Sequence, residues 1–169
     1  MIKFGDRISV VMITLNEEAS VAKVINDIIK IDSRIEISIV DSSSDNTGKI
    51  AESLGAEVIY QLPPIGYGPA MDKALNAAKR DVVITLDCDD TYPVDEIDSF
   101  SKLILDEKFD VVDGNRLNKK PQNMPIINYM ANYFFAFIAS ILFLKRVKDL
   151  HSGMRAYRKN IIKLLPYKV

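Results

Sequence analysis

Residues Asp81 to Asp90 read Asp-Val-Val-Ile-Thr-Leu-Asp-Cys-Asp-Asp, an apolar run that stops on clustered carboxylates. A buried strand delivering acids to a sheet edge has this pattern. Residues two apart on a strand share a face, so Asp87 and Asp89 are expected to project together if the extended geometry persists. At roughly 5 Å and an effective dielectric near 20, two such charges repel by on the order of 3 kcal/mol, so the pair calls for a cation or a raised pKa. Oxygen-only ligands on a short turn suit Mg²⁺ or Mn²⁺, ions that keep several waters and complete their shell with phosphate oxygens. Asp87 and Asp89 are therefore candidate metal ligands of a metal-diphosphate site. The alternative for an isolated Asp-x-Asp is a pair of solvated turn formers. Cys88, between them, has no second cysteine and only a distant histidine for company, and it reads more readily as a small filler than as a soft ligand or nucleophile.

The elements that must position these acids follow from periodicity. Arg7 to Thr14 is β-branched and apolar, and Glu17 to Ile31 then carries Val21, Val24, Ile25, Ile28 and Ile29 at helical spacing. Ile35 to Val40 reads as a second strand. Asp45 is placed to cap a helix to about Leu54, which Gly55 ends. Glu57 to Tyr60 is a short third strand. After Pro63-Pro64-Ile65-Gly66-Tyr67-Gly68, Pro69 opens a helix with Met71, Ala74, Leu75 and Ala78 on one stripe, and the Asp81 strand follows. Pro93 begins a helix to about Asp106, and Phe109 to Asp113 is a fifth strand. Such alternation predicts a mainly parallel sheet covered on both faces, whose ligands collect outside the carboxyl ends of the strands. Leu15 to Glu18, Asp41 to Asp45 and Asp87 to Asp90 all fall there.

A chain of 169 residues, 48% hydrophobic and 27% charged, has the composition of one globular domain with a sizeable core. A net charge of -1 argues against nucleic-acid binding through a basic face. One cysteine forms no internal disulfide and fits reduced, cytosolic surroundings. The polar start, Met1 to Asp6, runs directly into a strand-like segment, so no secretory leader is expected. From Pro121 to Leu144 there is no charged residue, and Lys145-Arg146 follow. Asn128, Tyr129, Asn132 and Tyr133 interrupt this stretch, which excludes a simple membrane span. A helix lying in the membrane interface over residues 124–146 fits, with Lys145 and Arg146 near anionic lipid on the cytoplasmic face. A core helix, or one that pairs in a homodimer, is the alternative.

In this order the segments resemble the GT-A inverting glycosyltransferases, most closely the branch that loads hexoses onto polyprenyl phosphates such as dolichyl phosphate. Thr14-Leu15-Asn16-Glu17-Glu18 resembles that family's first-strand loop, and Asp41-Ser42-Ser43-Ser44-Asp45-Asn46-Thr47 its Asp-Gly-Ser-x-Asp-Gly-Thr turn. Asp87-Cys88-Asp89 matches its Asp-x-Asp, Pro93 its proline and Gly114-Asn115-Arg116 its Gly-Ser-Arg. Met124-Pro125 with the following helix, and Asp149-Leu150-His151-Ser152-Gly153-Met154-Arg155, match the later part. Tyr67 stands where the family often has a lysine, and Thr91 where it often has a glutamine.

The resemblance implies a three-layer α/β/α GT-A fold with a mainly parallel central sheet and a C-terminal amphipathic helix. It implies a single domain over 1–169, with a nucleotide-sugar half at 1–115 and an acceptor- and membrane-facing half at 116–169. It implies that Thr14, Leu15, Asn16, Glu17 and Asp41 hold the nucleotide, and that Asp89, helped by Asp87, coordinates Mg²⁺ or Mn²⁺ on the donor diphosphate. Arg116 would face the acceptor phosphate and Arg155 the donor phosphate, a guanidinium fork suiting phosphate oxygens. Asp149 and His151 are the base candidates if the acceptor is a hydroxyl. The implied reaction is inverting transfer of a hexose from a nucleotide diphosphate sugar to a lipid phosphate. Transfer to a glycan or protein hydroxyl, or an inactive nucleotide-sugar-binding domain, are the alternatives. Relatives usually continue past the point matching Val169, so a truncated chain or a minimal enzyme is expected.

Overall fold

The computed structural model describes residues 2–90, 92–115, 125–149 and 152–164. It divides into two compact units, one of residues 1–112 with 154–169 and one of residues 113–153.

In the first unit the apolar runs become strands of one sheet. In chain order these are β1 (Ile8–Thr14), β2 (Glu36–Asp41), β3 (Glu57–Tyr60), β4 (Val82–Thr85), β5 (Val111–Asp113) and β6 (Arg155–Arg158). The order across the sheet is β3-β2-β1-β4-β6-β5. β3, β2, β1 and β4 run parallel, with Thr14 level with Asp41 and Asp41 level with Tyr60. Their carboxyl ends therefore open on one rim. Strand alternation sends Val10, Met12, Val82 and Ile84 to one layer and Val11, Val40 and Val83 to the other.

The first layer is covered by α1 (Val21–Ile31), α2 (Thr47–Ser53) and α4 (Ile97–Leu105), the second by α3 (Tyr67–Ala77) and α6 (Lys159–Ile162). On α1, Val21, Val24, Ile25 and Ile28 form the buried stripe that their spacing predicts. The architecture is thus three layers, α/β/α, over a largely parallel sheet.

Several expected bounds move, each for a local reason. α1 begins at Val21 rather than Glu17, because the backbone N–H groups of Glu17 and Glu18 are drawn to Thr47 Oγ1 (2.9 Å) and Asp45 Oδ2 (3.3 Å). α3 starts two residues before Pro69. The segment after Pro93 is first a 3-10 turn, Val94–Glu96, and then α4. Asp45 holds the Thr47 N–H (2.9 Å) from one position before the helix-capping residue, Asn46. β6, which the sequence reading did not anticipate, runs antiparallel to β4 with Thr85 opposite Arg155. Its only apolar members are Ala156 and Tyr157, too few to show an apolar alternation.

In the second unit the uncharged stretch forms α5 (Ile126–Leu142), shorter than the expected 124–146. Ala136 and Ala139 are buried, while Ile126, Ile127, Met130, Phe134, Phe137 and Leu142 are exposed. Tyr129 and Tyr133 stack edge to face at 5.0 Å. Ser140 Oγ accepts the Val147 N–H (2.9 Å) and donates to the Ala136 carbonyl (2.7 Å), pinning the following segment back on the helix. Among the described residues no helix is long and apolar enough to cross a membrane.

Candidate active site

Three loops leave the open rim of the first unit, and their residues enclose one cavity of about 350 Å³. Thr14, Leu15 and Glu17 come from the loop after β1, Ser42 from that after β2, and Asp87, Cys88 and Asp89 from that after β4. Pro64, Gly66, Tyr67 and Ala70 close the α3 side.

Asp41, at the end of β2, is almost fully buried. Its Oδ1 accepts hydrogen bonds from Thr14 Oγ1 (2.7 Å), Ser43 N (3.2 Å) and Ser43 Oγ (2.5 Å). That convergence fixes the carboxylate and turns Oδ2 toward Gly48 and Tyr60. A Cβ on Gly48 would lie 2.6 Å from Asp41 Oδ2 and 2.6 Å from Tyr60 Cε1, so the first turn of α2 approaches this closely only because residue 48 has no side chain. Burial raises the Tyr60 hydroxyl above its ordinary value, and the Glu52 and Asp41 carboxylates add to it.

The β1 loop is latched onto the β2 loop. Asn16 N donates to Ser43 Oγ (2.8 Å), and Asn16 Oδ1 accepts the Ser44 N–H (2.9 Å). Asn16 takes φ 60, a left-handed conformation that asparagine tolerates better than most residues. Of the expected nucleotide-holding residues, Thr14, Leu15, Glu17 and Asp87 line the cavity, Asp41 accepts a hydrogen bond from Thr14 without lining it and Asn16 acts as the latch.

The acid pair arrives by a different route from the one expected. β4 ends at Thr85, so Asp87 and Asp89 do not share a face through strand alternation. The chain instead turns Cys88 inward, and Ser20 Oγ donates to the Cys88 carbonyl at 2.6 Å, leaving both carboxylates at the cavity wall. Cys88 is buried, as the filler reading expects. Its thiol is pushed up to about 12 by that burial, then by the charges of Glu17, Asp89, Asp41 and Asp87.

Asp87 and Asp89 at the cavity wall offer carboxylate oxygens, the donor type that suits a hard divalent cation. Among the described residues no group of three or more His, Cys, Asp or Glu is placed to hold a metal ion by itself. A pair of carboxylates leaves most coordination positions to water and phosphate, the mode that Mg²⁺ and Mn²⁺ favour.

Arg155 opens β6, and because β6 is antiparallel its first residue stands where β4 ends, with Arg155 N donating to Thr85 Oγ1 at 3.2 Å. Desolvation raises the Tyr67 hydroxyl above its ordinary value, the Asp87 charge adds to the rise, and the Arg155 charge opposes it. Arg155 is thus within electrostatic reach of the cavity wall. Asp149 is buried in the second unit. Arg116, His151 and Thr91 lie outside the described residues.

Residues 9–165 match the model of glycosyl transferase family 2. The chain belongs to that family. This glycosyl transferase family 2 chain is 46% identical over 158 residues to the dolichyl-phosphate hexose transferase of Haloferax volcanii, covering 93% of the chain and 68% of that protein. Its fold matches glucosyl-3-phosphoglycerate synthase of Mycobacterium tuberculosis in complex with uridine diphosphate, with a TM-score of 0.68 and 27% identity over 91% of the chain and 57% of the synthase. The same synthase is known with Mn²⁺, uridine diphosphate and glucosyl-3-phosphoglycerate, at a TM-score of 0.66. The three-layer arrangement is therefore the GT-A fold, as the resemblance implies. The chain spans little more than half of the synthase and about two thirds of the Haloferax protein.

Ser43, Gly48, Tyr60 and Gln61 carried no assigned role in the sequence reading. A glycine two residues after Asn46, in the first turn of a helix, was the one available signal, since glycine there costs about 1 kcal/mol in helix propensity and needs a reason.

Proposed function

We propose that this family 2 chain is a metal-dependent hexosyltransferase that moves a hexose from a nucleotide diphosphate sugar to a polyprenyl phosphate, with inversion. The observation that carries the reading is the meeting of the Thr14–Glu17 loop and the Asp87/Asp89 pair around one cavity, with the Asp41 carboxylate fixed behind it by its hydrogen bond from Thr14. The 46% identity to a dolichyl-phosphate hexose transferase supports the lipid-phosphate acceptor. The reading treats both units as one glycosyltransferase domain, with the donor at 1–115 and the acceptor and membrane at 116–169.

Thr14, Leu15, Asn16, Glu17 and Asp41 hold the nucleoside, Asp41 accepting a hydrogen bond from the base. Asp89 with Asp87 would hold Mg²⁺ or Mn²⁺, which when bound neutralises charge on the diphosphate. Arg155 offers a guanidinium fork to the same leaving group, and Arg116 one to the acceptor phosphate. An acceptor phosphate oxygen bonds to the anomeric carbon as the bond from that carbon to the diphosphate oxygen breaks. The nucleoside diphosphate departs with the electron pair. A phosphate nucleophile is largely ionised near neutral pH, its second pKa being about 6, so no strong base is needed. Asp149 or His151 would supply one only for a hydroxyl acceptor.

The exposed apolar residues of α5, followed by Lys145 and Arg146, suit a helix lying at the cytoplasmic face of a membrane. A soluble phosphorylated acceptor is the second reading, favoured by the likeness to glucosyl-3-phosphoglycerate synthase. The test supplies radiolabelled uridine and guanosine diphosphate hexoses with Mn²⁺ and offers polyprenyl phosphate or 3-phosphoglycerate. Organic-phase label is expected from the lipid alone. Label on phosphoglycerate selects the second reading, and donor binding without transfer to either selects an inactive binding domain.

A further inference from the structure

A second cavity, of about 410 Å³, lies wholly within the unit of residues 113–153. α5 lines it with Tyr133, Phe137 and Ser140, and the segment after the helix lines it with Arg146 and Lys148. The chain reaches that position by reversing at Leu144, whose φ of 51 is the left-handed conformation that commonly follows a helix end. Val147, between the two cations, then donates its N–H to Ser140 Oγ at 2.9 Å, which holds the residues on either side of it against the helix. Among the described residues neither Arg146 nor Lys148 enters an ion pair, and no acidic side chain lines the cavity. Two cations without a counter-charge on one cavity call for an anion. Tyr133 and Phe137 stand one turn apart, and Ile141 continues their stripe past the cavity, the three being 48%, 63% and 57% exposed. The anion that fits therefore carries an apolar substituent.

We propose that this cavity seats the phosphate of an anionic membrane phospholipid, Arg146 and Lys148 donating to its oxygens while the Tyr133–Phe137–Ile141 stripe meets the adjoining acyl chain. This rests on the membrane-facing reading of α5 above and adds what is recognised there, a bilayer lipid distinct from the acceptor phosphate given to Arg116. The planar guanidinium of Arg146 can take two phosphate oxygens at once, and the Lys148 ammonium supplies a second charge from the other side of the anchored Val147. A phosphodiester seated between them exchanges its hydration for charge-assisted hydrogen bonds, and its chains stay in the bilayer beside the exposed helix face. Membrane contact is thereby selective for the headgroup charge rather than a matter of apolar area alone.

The test is flotation of the whole chain with vesicles of phosphatidylcholine alone and of phosphatidylcholine with phosphatidylglycerol, beside thermal melts. Wild type is expected to bind the anionic vesicles on the order of a hundredfold tighter than the neutral ones. Arg146→Gln and Lys148→Gln should each lower that binding on the order of thirtyfold, through loss of a charge-assisted hydrogen bond. Lys145→Gln removes a charge that does not line the cavity and should lower it only about fivefold, the effect of diffuse attraction. Equal losses from the three variants reduce the effect to net charge and overturn the site. Lower melting temperatures with flotation unchanged also overturn it, assigning both cations to the helix end. Should Arg146→Gln fail to fold, Lys148→Gln decides alone. Inorganic phosphate at matched ionic strength is expected not to displace the vesicles, and displacement would make the occupant a free phosphate. A wild type that binds neutral and anionic vesicles equally overturns the headgroup site while sparing a membrane-facing α5, and one that binds neither overturns that reading itself.

Discussion

Gly48→Ala isolates the packing on which the Asp41 carboxylate depends. The new Cβ would stand 2.6 Å from Asp41 Oδ2, 2.6 Å from Tyr60 Cε1 and 2.9 Å from the Tyr60 hydroxyl. Ordinary contacts lie at about 3.5–4.0 Å, so each neighbour must retreat by roughly 1 Å. Tyr60 ends a long side chain, is 45% exposed and can swing outward. Asp41 cannot do so without lengthening the three hydrogen bonds to its Oδ1. Overpacking of this kind costs about 1–3 kcal/mol, against which alanine in a helix returns about 1 kcal/mol. The net loss of stability should be about 1 kcal/mol, whereas affinity for the donor nucleotide should fall on the order of tenfold if the displaced carboxylate is the base contact proposed above. Chemical denaturation and calorimetric titration with the preferred nucleoside diphosphate measure the two effects. A variant that loses several kcal/mol of stability and keeps its nucleotide affinity would show that Gly48 serves core packing rather than the site.

Asp89→Asn should lower Mn²⁺-dependent transfer by about a hundredfold or more, with the melting temperature nearly unchanged because the residue is exposed, and undiminished turnover of the purified variant would remove the metal role. Arg34 holds the buried Asp32 carboxyl well below its ordinary value of 3.8, chiefly through side-chain hydrogen bonds at 2.9 and 2.6 Å. Since the folded-state value is the lower one, this contribution is full above about pH 4 and is lost as the pH falls toward the folded value. Arg34→Ala should cost about 2–3 kcal/mol at pH 7, since it leaves a buried charge unpaired, and should flatten the loss of stability between pH 5 and pH 2. Acid titrations of both proteins that stay parallel would contradict the pairing. A Cys88 thiol pushed up to about 12 carries only about one part in ten thousand of thiolate at pH 8, so aromatic disulfide reagents should leave it intact in the native protein and react after denaturation.

Much of this protein was legible in its residues taken in order. The continuous apolar runs at 8–14 and 82–85 required a sheet covered on both faces, and the 3.6-residue stripe of α1 supplied part of that cover. Because parallel strands end together on one rim, the polar segments after β1, β2 and β4 had to converge, which alone brings Thr14, Asp41 and Asp89 into one region. The mechanism of convergence was decided by tertiary contacts. Asp87 and Asp89 meet the cavity through an inward-turned Cys88 tied to Ser20, a pairing across 68 residues that no local period encodes. Arg155 reaches the rim only because β6 runs against β4, and strand direction depends on which neighbour pairs with it rather than on its own four residues. The need for glycine at residue 48 and the unpaired amide of Gln61 also arise from what lies across the fold, since close approach and hydrogen-bond satisfaction are properties of neighbours in space. Residue types set the available chemistry and the periodicity of the elements, while long-range packing chose which of those groups face one another and at what distance.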